Sequence, residues 1–487
     1  MSNPDNCVTL TLSNRLKVND LPETLREELV EKLTVLNPKW LENERMGRWN
    51  RKTPKTLRFY RRIQSDGIIL PRGFARQIIL LLRKNNLPYK IVDHRRTLPE
   101  IDFKFSGQLR PFQKRASAEM MAREFGTLCA PTGAGKTIIA LSMIAARRQP
   151  TLIVVHTKDL ALQWIKQISA FLGIPEKEVG LLGGGRKSRG EKVTVALVQS
   201  LYKQAKEMSR FFGFIVVDEC HRTPSRTFTE ALTAFDAKYL LGLSATPWRR
   251  DGLAKLIFWH LGDKHHEIEK TKLIESGDVL PVDVIFRETD FTPFHDPVRE
   301  YSKMLTELTS DDERNRLIAG DVAKALQETP GICLVLTDRK KHAETLHLIL
   351  RYKHHVESSI LTGDLSTGRR AEVLEALGNG EVKVLVATGQ LIGEGFDCKE
   401  LTTLFLATPI RFSGRVLQYL GRVLRPAPGK KRARVFDYID VHVDVLCAAA
   451  KARQRVYADK KKVAKRRSDV DPATGSQSTR IDQKRNI

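Results

Sequence analysis

The eight residues Ala130-Pro131-Thr132-Gly133-Ala134-Gly135-Lys136-Thr137 combine glycines, a lysine and a hydroxyl in a spacing that suits phosphate. A glycine-rich turn at the start of a helix aims several backbone N–H groups at one point, where anionic oxygens can sit. Lys136 can then reach the β- and γ-phosphates of a nucleoside triphosphate, and Thr137 can hold Mg²⁺. The pattern usually opens on glycine; here the position is Ala130, which a small residue can fill at negative φ. About 80 residues later, Asp218-Glu219-Cys220-His221 follows an apolar run. A carboxylate at the C-terminal end of a parallel strand faces the ligand crevice. There Asp218 can bind Mg²⁺, directly or through water, and Glu219 can orient and deprotonate an attacking water. Ser244-Ala245-Thr246-Pro247 supplies hydroxyls able to link hydrolysis to movement. In Gln418-Tyr419-Leu420-Gly421-Arg422-Val423-Leu424-Arg425 the two arginines are neighbours on one helix face. Two guanidiniums reaching a γ-phosphate across a cleft typically give about 10³–10⁵ in rate.

These groups need rigid elements beneath them. Between about 105 and 285, apolar runs (Thr151–Val155, Val193–Val198, Phe214–Val217, Tyr239–Leu243) alternate with helical patterns. Near-continuous apolar strands with intervening helices indicate a parallel sheet covered on both faces. The rhythm returns from about 311 to 445, with runs Ile332–Leu336, Val382–Val386, Thr403–Leu406 and Arg434–Tyr438. The expectation is an α/β protein of two similar lobes facing each other, joined near 286–310, and only the first lobe has a phosphate loop. The triplet Gly183-Gly184-Gly185 reads as a flexible loop.

At 487 residues the chain is too long for one core, and two to four domains are expected. With 82 Lys and Arg against 57 Asp and Glu, the net charge is +25. Such an excess repels itself and points to a polyanionic partner, nucleic acid first. Residues 1–104 read as an accessory α+β domain with helical spacing at Leu25–Leu33 and Ala75–Leu82. Between these helices, Arg45, Arg48, Arg51 and further cations interleave with Trp49, Phe59 and Tyr60. Cations can neutralise phosphates and flat rings can stack on bases. The tail from 446 on is basic, with 12 cations against 4 anions over Lys451–Ile487, and reads as a solvated arm.

Six cysteines at 7, 129, 220, 333, 398 and 447 form no CxxC pair, so neither a zinc ribbon nor a redox motif is supported. A reducing compartment is expected: cytoplasm or nucleoid in a prokaryotic or viral setting, nucleus in a eukaryote, and no secretion. No apolar run approaches the length of a membrane span.

The order of these motifs resembles a superfamily-two helicase with a DECH box, over residues 105–445. Its two lobes would be RecA-like, the first spanning 105–290 and the second 291–445. Leu109-Arg110-Pro111-Phe112-Gln113 resembles the family's base-reading Q motif, which nominates Gln113 for adenine. Val155-His156-Thr157-Lys158, Val198-Gln199-Ser200-Leu201 and Leu361-Thr362-Gly363 resemble its strand-tracking motifs. The resemblance implies backbone contacts by Thr157, Lys158, Gln199, Ser200, Thr362, Gly363 and Thr388. It also places Gly395 and Asp397 near the nucleotide and its sugar, and His221, Ser244 and Thr246 in coupling. Ala245-Thr246-Pro247-Trp248-Arg249-Arg250-Asp251-Gly252 is similar to the xeroderma group B type of repair helicase and to phage branch-migrating helicases. Those repair helicases carry Arg-Glu-Asp after this motif; here it reads Arg249-Arg250-Asp251, and both arginines are nominated for nucleic acid.

The implied protein is an ATP- and Mg²⁺-dependent motor on duplex, forked or branched DNA. Its lobes would close when triphosphate joins Lys136 to Arg422 and Arg425. Three alternatives stand beside it: an RNA substrate, translocation on duplex without strand separation, or a subunit of a transcription, repair or defence complex whose ATPase acts as a conformational switch.

Overall fold

The structure is a computed structural model that describes residues 7–63, 67–222, 226–245, 253–389, 398, 400–410, 419–421, 423, 426–427, 430 and 432–458. Residues 8–93 carry a five-stranded sheet in the order Arg61–Ile63, Gly67–Pro71, Arg15–Asn19, Val8–Leu12, Tyr89–Asp93. Alternating apolar residues in Val8–Leu12 turn one face onto helices Glu23–Lys32 and Ala75–Lys84, burying Leu10, Leu16, Leu29 and Ile78. The same cluster takes in Leu253, Leu256 and Trp259 from the next unit. Arg72 donates from Nη1 to Ala237 O at 2.7 Å, and burial pushes its guanidinium down to about 10. A methyl group on Gly73 would lie 2.3 Å from Phe258 O. The module is thus packed hard against the sheet that follows.

That second sheet runs Arg186–Ser188, Gly180–Gly183, Val193–Leu197, Thr151–Val155, Phe214–Val217, Tyr239–Ser244, Phe125–Cys129, Lys264–Glu267. All neighbours are parallel except the edge hairpin. The central strands are buried on both faces because helices cover each side, which explains their unbroken apolar runs. The strand order sets the ends of Phe214–Val217, Tyr239–Ser244 and Phe125–Cys129 side by side. Asp218, Ser244 and the phosphate loop therefore meet at one crevice. Gly183-Gly184-Gly185 is not the flexible loop the composition suggests. It forms the turn of a hairpin in which Gly183 pairs with Arg186, and all three glycines have positive φ.

A third, wholly parallel sheet has the order Val282–Thr289, Ala433–Asp440, Leu401–Leu406, Ile332–Thr337, Val384–Thr388, Ser359–Leu361. Its edge strand Val282–Thr289 precedes residue 291, where the sequence reading opens the second lobe. Charged residues at 283, 287 and 288 hide that strand, which shows one face to solvent. The tail also departs from expectation at its start. Asp444–Ala458 is a helix, not a solvated arm. Arg453 clasps Asp437 from Nε at 2.9 Å and Nη2 at 2.8 Å, and Tyr457 donates to the same carboxylate at 3.0 Å. Both side chains are buried, so the helix is part of the lobe. Residues 459–487 lie outside the described residues. Among the described residues no helix is long and apolar enough to cross a membrane.

Candidate functional site

The phosphate loop follows strand Phe125–Cys129 and opens helix Lys136–Arg147. Gly133 (φ 92°) and Gly135 (φ 77°) occupy left-handed backbone that side chains rarely adopt. Ala130 is buried, is absent from the positive-φ residues, and donates its N–H to Ser244 O at 2.9 Å. The alanine at that position therefore fits. Lys136 Nζ bonds to Ala130 O at 3.1 Å, arching back over the loop. The loop also holds Pro131, Thr132, Ala134 and the half-buried Thr137. The free N–H groups of the helix start add a positive end beneath it.

Gln113 is buried and doubly used. Its Oε1 accepts from Arg110 N at 2.9 Å, and its Nε2 donates to Ala134 O at 3.0 Å. A methyl group on Gly135 would lie 2.4 Å from that Nε2. Gln113 thus braces the loop, and one amide hydrogen remains for a ligand. Beside Pro111 lies a groove of about 360 Å³ lined by Phe112, Arg115, His266, Glu269 and Lys272. Phe112 and Arg115 have the chemistry to cover a base face. Phe112 stands in the stretch that nominates Gln113 but was given no role of its own, and nothing local distinguishes Arg115 from a helix surface.

Asp218 ends strand Phe214–Val217 and is buried. Its Oδ2 accepts from Trp164 Nε1 at 2.8 Å and its Oδ1 from Glu219 N at 2.8 Å. Burial, then the neighbouring Glu219 charge, push its carboxyl up to about 6, while Lys136 opposes the shift. Trp164 is a site residue the sequence reading missed. It sits on the apolar stripe of helix Lys158–Leu172, where a core role is the natural reading.

Glu219 adopts φ 47°, a strained backbone for a side-chain-bearing residue. Its Oε2 lies 3.1 Å from His221 Nδ1 but is covered and makes no hydrogen bond among the described residues. His221 Nδ1 in turn lies 3.2 Å from Ser244 Oγ. Glu219, His221 and Ser244 therefore form one polar chain from the acidic pair to the adjacent strand; Thr246 lies outside the described residues. Thr132 Oγ1 is likewise covered and has no partner among the described residues. A glycine cradle, a lysine, orphaned oxygens and a carboxylate of raised affinity for protons fit a nucleoside triphosphate with its divalent cation.

The second lobe reaches this crevice. A methyl group on Gly421 would lie 2.1 Å from Thr132 Cβ, and Gly421 O is 3.5 Å from where a Cβ on Gly133 would stand. Tyr419 donates to Gly389 O at 2.6 Å, tying this helical turn to the end of strand Val384–Thr388. Arg370 Nη1 lies 3.6 Å from Asp159 across the lobes. Gln418, Arg422, Arg425, Gly395 and Asp397 lie outside the described residues.

The nucleic-acid candidates divide. Thr157 caps helix Lys158–Leu172, Gln199 and Ser200 lie in the first turn of helix Val198–Met208, and both helices follow strand ends at the crevice edge of their sheet. Thr362 and Gly363 follow strand Ser359–Leu361, and Thr388 ends Val384–Thr388, the neighbouring strand. Arg45, Arg48 and Arg51 are exposed on the N-terminal module, far along the chain from these strand ends. Trp49 is 83% exposed, with Arg51 5.6 Å above its ring. Phe59 is not a free stacking ring: it packs on Trp259 at 5.5 Å, and Tyr60 joins the same cluster. Arg249 and Arg250 lie outside the described residues.

Two family models match the chain: "Type III restriction enzyme, res subunit" over residues 106–249 and "Helicase conserved C-terminal domain" over 316–427, together more than half of it. A mimivirus protein named "Putative ATP-dependent RNA helicase L396" is 27% identical over 74% of the chain and 70% of its own length. The "DNA 3'-5' translocase XPB2" of Sulfurisphaera tokodaii is 27% identical over 65% of the chain and 79% of its own. The structure of S. cerevisiae Dbp5 bound to RNA and ADP BeF3 shares the fold, with TM-score 0.51, 16% identity, and coverage of 72% of this chain and 93% of that one.

Proposed function

Since the chain belongs to the superfamily-two helicases, ATP-dependent motors on nucleic acid, we propose that it moves on or remodels duplex or branched DNA. The observation that carries the mechanism is the contact of Gly421 with Thr132, which sets the second lobe directly on the phosphate loop. Lys136 and the N–H groups of Gly133 to Thr137 hold the triphosphate, and Gln113 keeps the loop in shape while facing the base. Thr137 and Asp218 hold Mg²⁺, which supplies charge neutralisation at the phosphates when bound. Glu219 orients the attacking water and takes its proton through the orphaned Oε2. His221 and Ser244 carry the loss of that interaction to the adjacent strand. Arg422 and Arg425 stabilise the γ-phosphate from the second lobe, with Gln418, Gly395 and Asp397 completing that side. Closing and reopening of the lobes then moves Thr157, Lys158, Gln199 and Ser200 relative to Thr362, Gly363 and Thr388 along a strand.

The similarity to a relative named as a DNA translocase supports DNA, while the +25 charge suits either nucleic acid. The relative named as an RNA helicase favours RNA as the second reading. An ATPase titration with single-stranded, duplex, forked and four-way DNA, and with matched RNA, separates them. Stimulation strongest with duplex or branched DNA is expected; preferential stimulation by RNA overturns the DNA reading.

A further inference from the structure

The seam between the N-terminal module and the first lobe holds a cleft of about 230 Å³, apart from the nucleotide site. Arg15, Arg58 and Arg61 line it with exposed side chains. None of the three forms an ion pair among the described residues. His260, in the last turn of helix Lys255–Leu261, also faces the cleft. Its Nε2 is covered and has no hydrogen-bond partner among the described residues. Burial, then the Arg15 charge, push the imidazole down to about 4, so at neutral pH the ring is uncharged and carries a single N–H. Glu230 is the lone carboxylate of the lining, and its Oε2 is engaged by the Tyr202 hydroxyl at 2.9 Å.

Three arginines lining one cleft and an orphaned ring nitrogen suit the same ligand, an anionic oxygen. Guanidinium forks match phosphate geometry, and a covered polar atom ordinarily has a partner. The surroundings indicate which phosphate. Tyr202 belongs to helix Val198–Met208, whose first turn carries Gln199 and Ser200. That helix packs on Arg226–Leu232, which bears Glu230. The cleft thus lies one helix away from the helix that carries Gln199 and Ser200, and Arg58 and Arg61 belong to the basic stretch of the N-terminal module.

We propose that this cleft grips a phosphodiester of the nucleic-acid backbone, with Arg15, Arg58 and Arg61 matching its charge and His260 Nε2 donating to a non-bridging oxygen. The proposal rests on the reading of the chain as a nucleic-acid motor. Its test uses the full chain labelled at histidine, with the His260 ring resonance identified by its loss in His260→Phe. A short duplex oligonucleotide should shift that resonance and raise its titration midpoint. In Arg58→Gln/Arg61→Gln, melting with the parent, the shift should vanish, and the salt slope of duplex binding should fall by about 0.9, the value for one lost phosphate contact. Duplex binding that leaves the His260 resonance unmoved overturns the cleft and leaves the motor reading intact. A shift produced by inorganic pyrophosphate but not by the duplex assigns the cleft to free phosphate and overturns the backbone proposal. A parent chain that binds no oligonucleotide sinks the motor reading and this proposal together.

Discussion

Gly421 of the second lobe rests on Thr132 of the phosphate loop so closely that a single added methyl would come within 2.1 Å of Thr132 Cβ. The seam between the lobes therefore has no room for a side chain at this point. Gly421→Ala should force the lobes apart by the width of that methyl. Nucleic-acid-stimulated ATPase should fall by about 10- to 100-fold, since misplacing groups by about 1 Å costs on that order. Thermal melting should stay near the parent, because each lobe keeps its own core. Unchanged turnover would show that this contact is dispensable for hydrolysis.

Lys136→Ala removes the cation that the phosphate loop folds around. ATPase should drop to background while duplex binding stays mostly intact, because the nucleic-acid candidates lie on other loops. The check is a steady-state ATPase assay beside a fluorescence-anisotropy titration with the same duplex.

Trp164→Phe keeps the packing but deletes the Nε1 donor to Asp218 at 2.8 Å. The freed Oδ2 then loses its fixed orientation, and buried carboxylates left unsatisfied cost about 1–3 kcal/mol. We expect weaker Mg²⁺ binding, read as a several-fold higher half-saturating concentration in the ATPase assay, with a melting temperature lower by about 2–4 °C for each kcal/mol lost. An unaltered Mg²⁺ titration would remove Trp164 from the site.

His342 gives the second lobe a pH limit. Its Nε2 lies 2.8 Å from Asn315 Oδ1 and its Nδ1 2.8 Å from Thr337 Oγ1. Asn315 donates its amide to Thr309 O at 3.0 Å, which fixes its oxygen toward the ring. The neutral ring then donates from Nε2 and accepts at Nδ1. Burial, then Arg314, push it down to about 3 from an ordinary 6.5. The unfolded chain binds the proton first as pH falls, so stability is full above 6.5 and declines toward 3. At pH 5 the loss should be about 2 kcal/mol, from roughly 1.4 kcal/mol per pH unit. His342→Gln should flatten that part of the denaturation profile; a slope identical to the parent's would place the acid sensitivity elsewhere.

Arg45, Arg48 and Arg51 stand exposed around Trp49. Changing all three to Gln should weaken duplex binding and lower its salt slope by up to about 2.7, at roughly 0.9 per phosphate contact. Trp49→Ala alone should weaken single-strand binding with the slope unchanged, since stacking releases no counterions. An unchanged slope in the triple variant would mean that this module does not grip the duplex.

Much of the site was legible because its chemistry is local. The phosphate loop, the acidic pair and the Tyr239–Ser244 strand end are short runs whose residue types fix both conformation and role, and buried parallel strands announce themselves by unbroken apolar runs. Edge elements were harder to read. Val282–Thr289 carries charges on its open face, and the helix Asp444–Ala458 hides a buried Arg453 in a run of basic residues that reads as a tail. A charge cluster says nothing about which guanidinium finds a carboxylate; Asp437 is sixteen residues from Arg453 and was not foreseeable as its partner.

The amino-acid order alone determined the reaction class, since glycines at 133 and 135 with Lys136 admit few uses besides phosphate, and strand–helix alternation admits few folds. Only the tertiary structure decided which distant groups complete the crevice. Trp164 reaches Asp218, Gln113 braces Gly135, and Gly421 meets Thr132 because parallel strand order and the packing of two lobes bring together residues that no sequence interval relates. Such contacts depend on summed burial across whole sheets, and burial is a property of the folded chain rather than of any stretch of it.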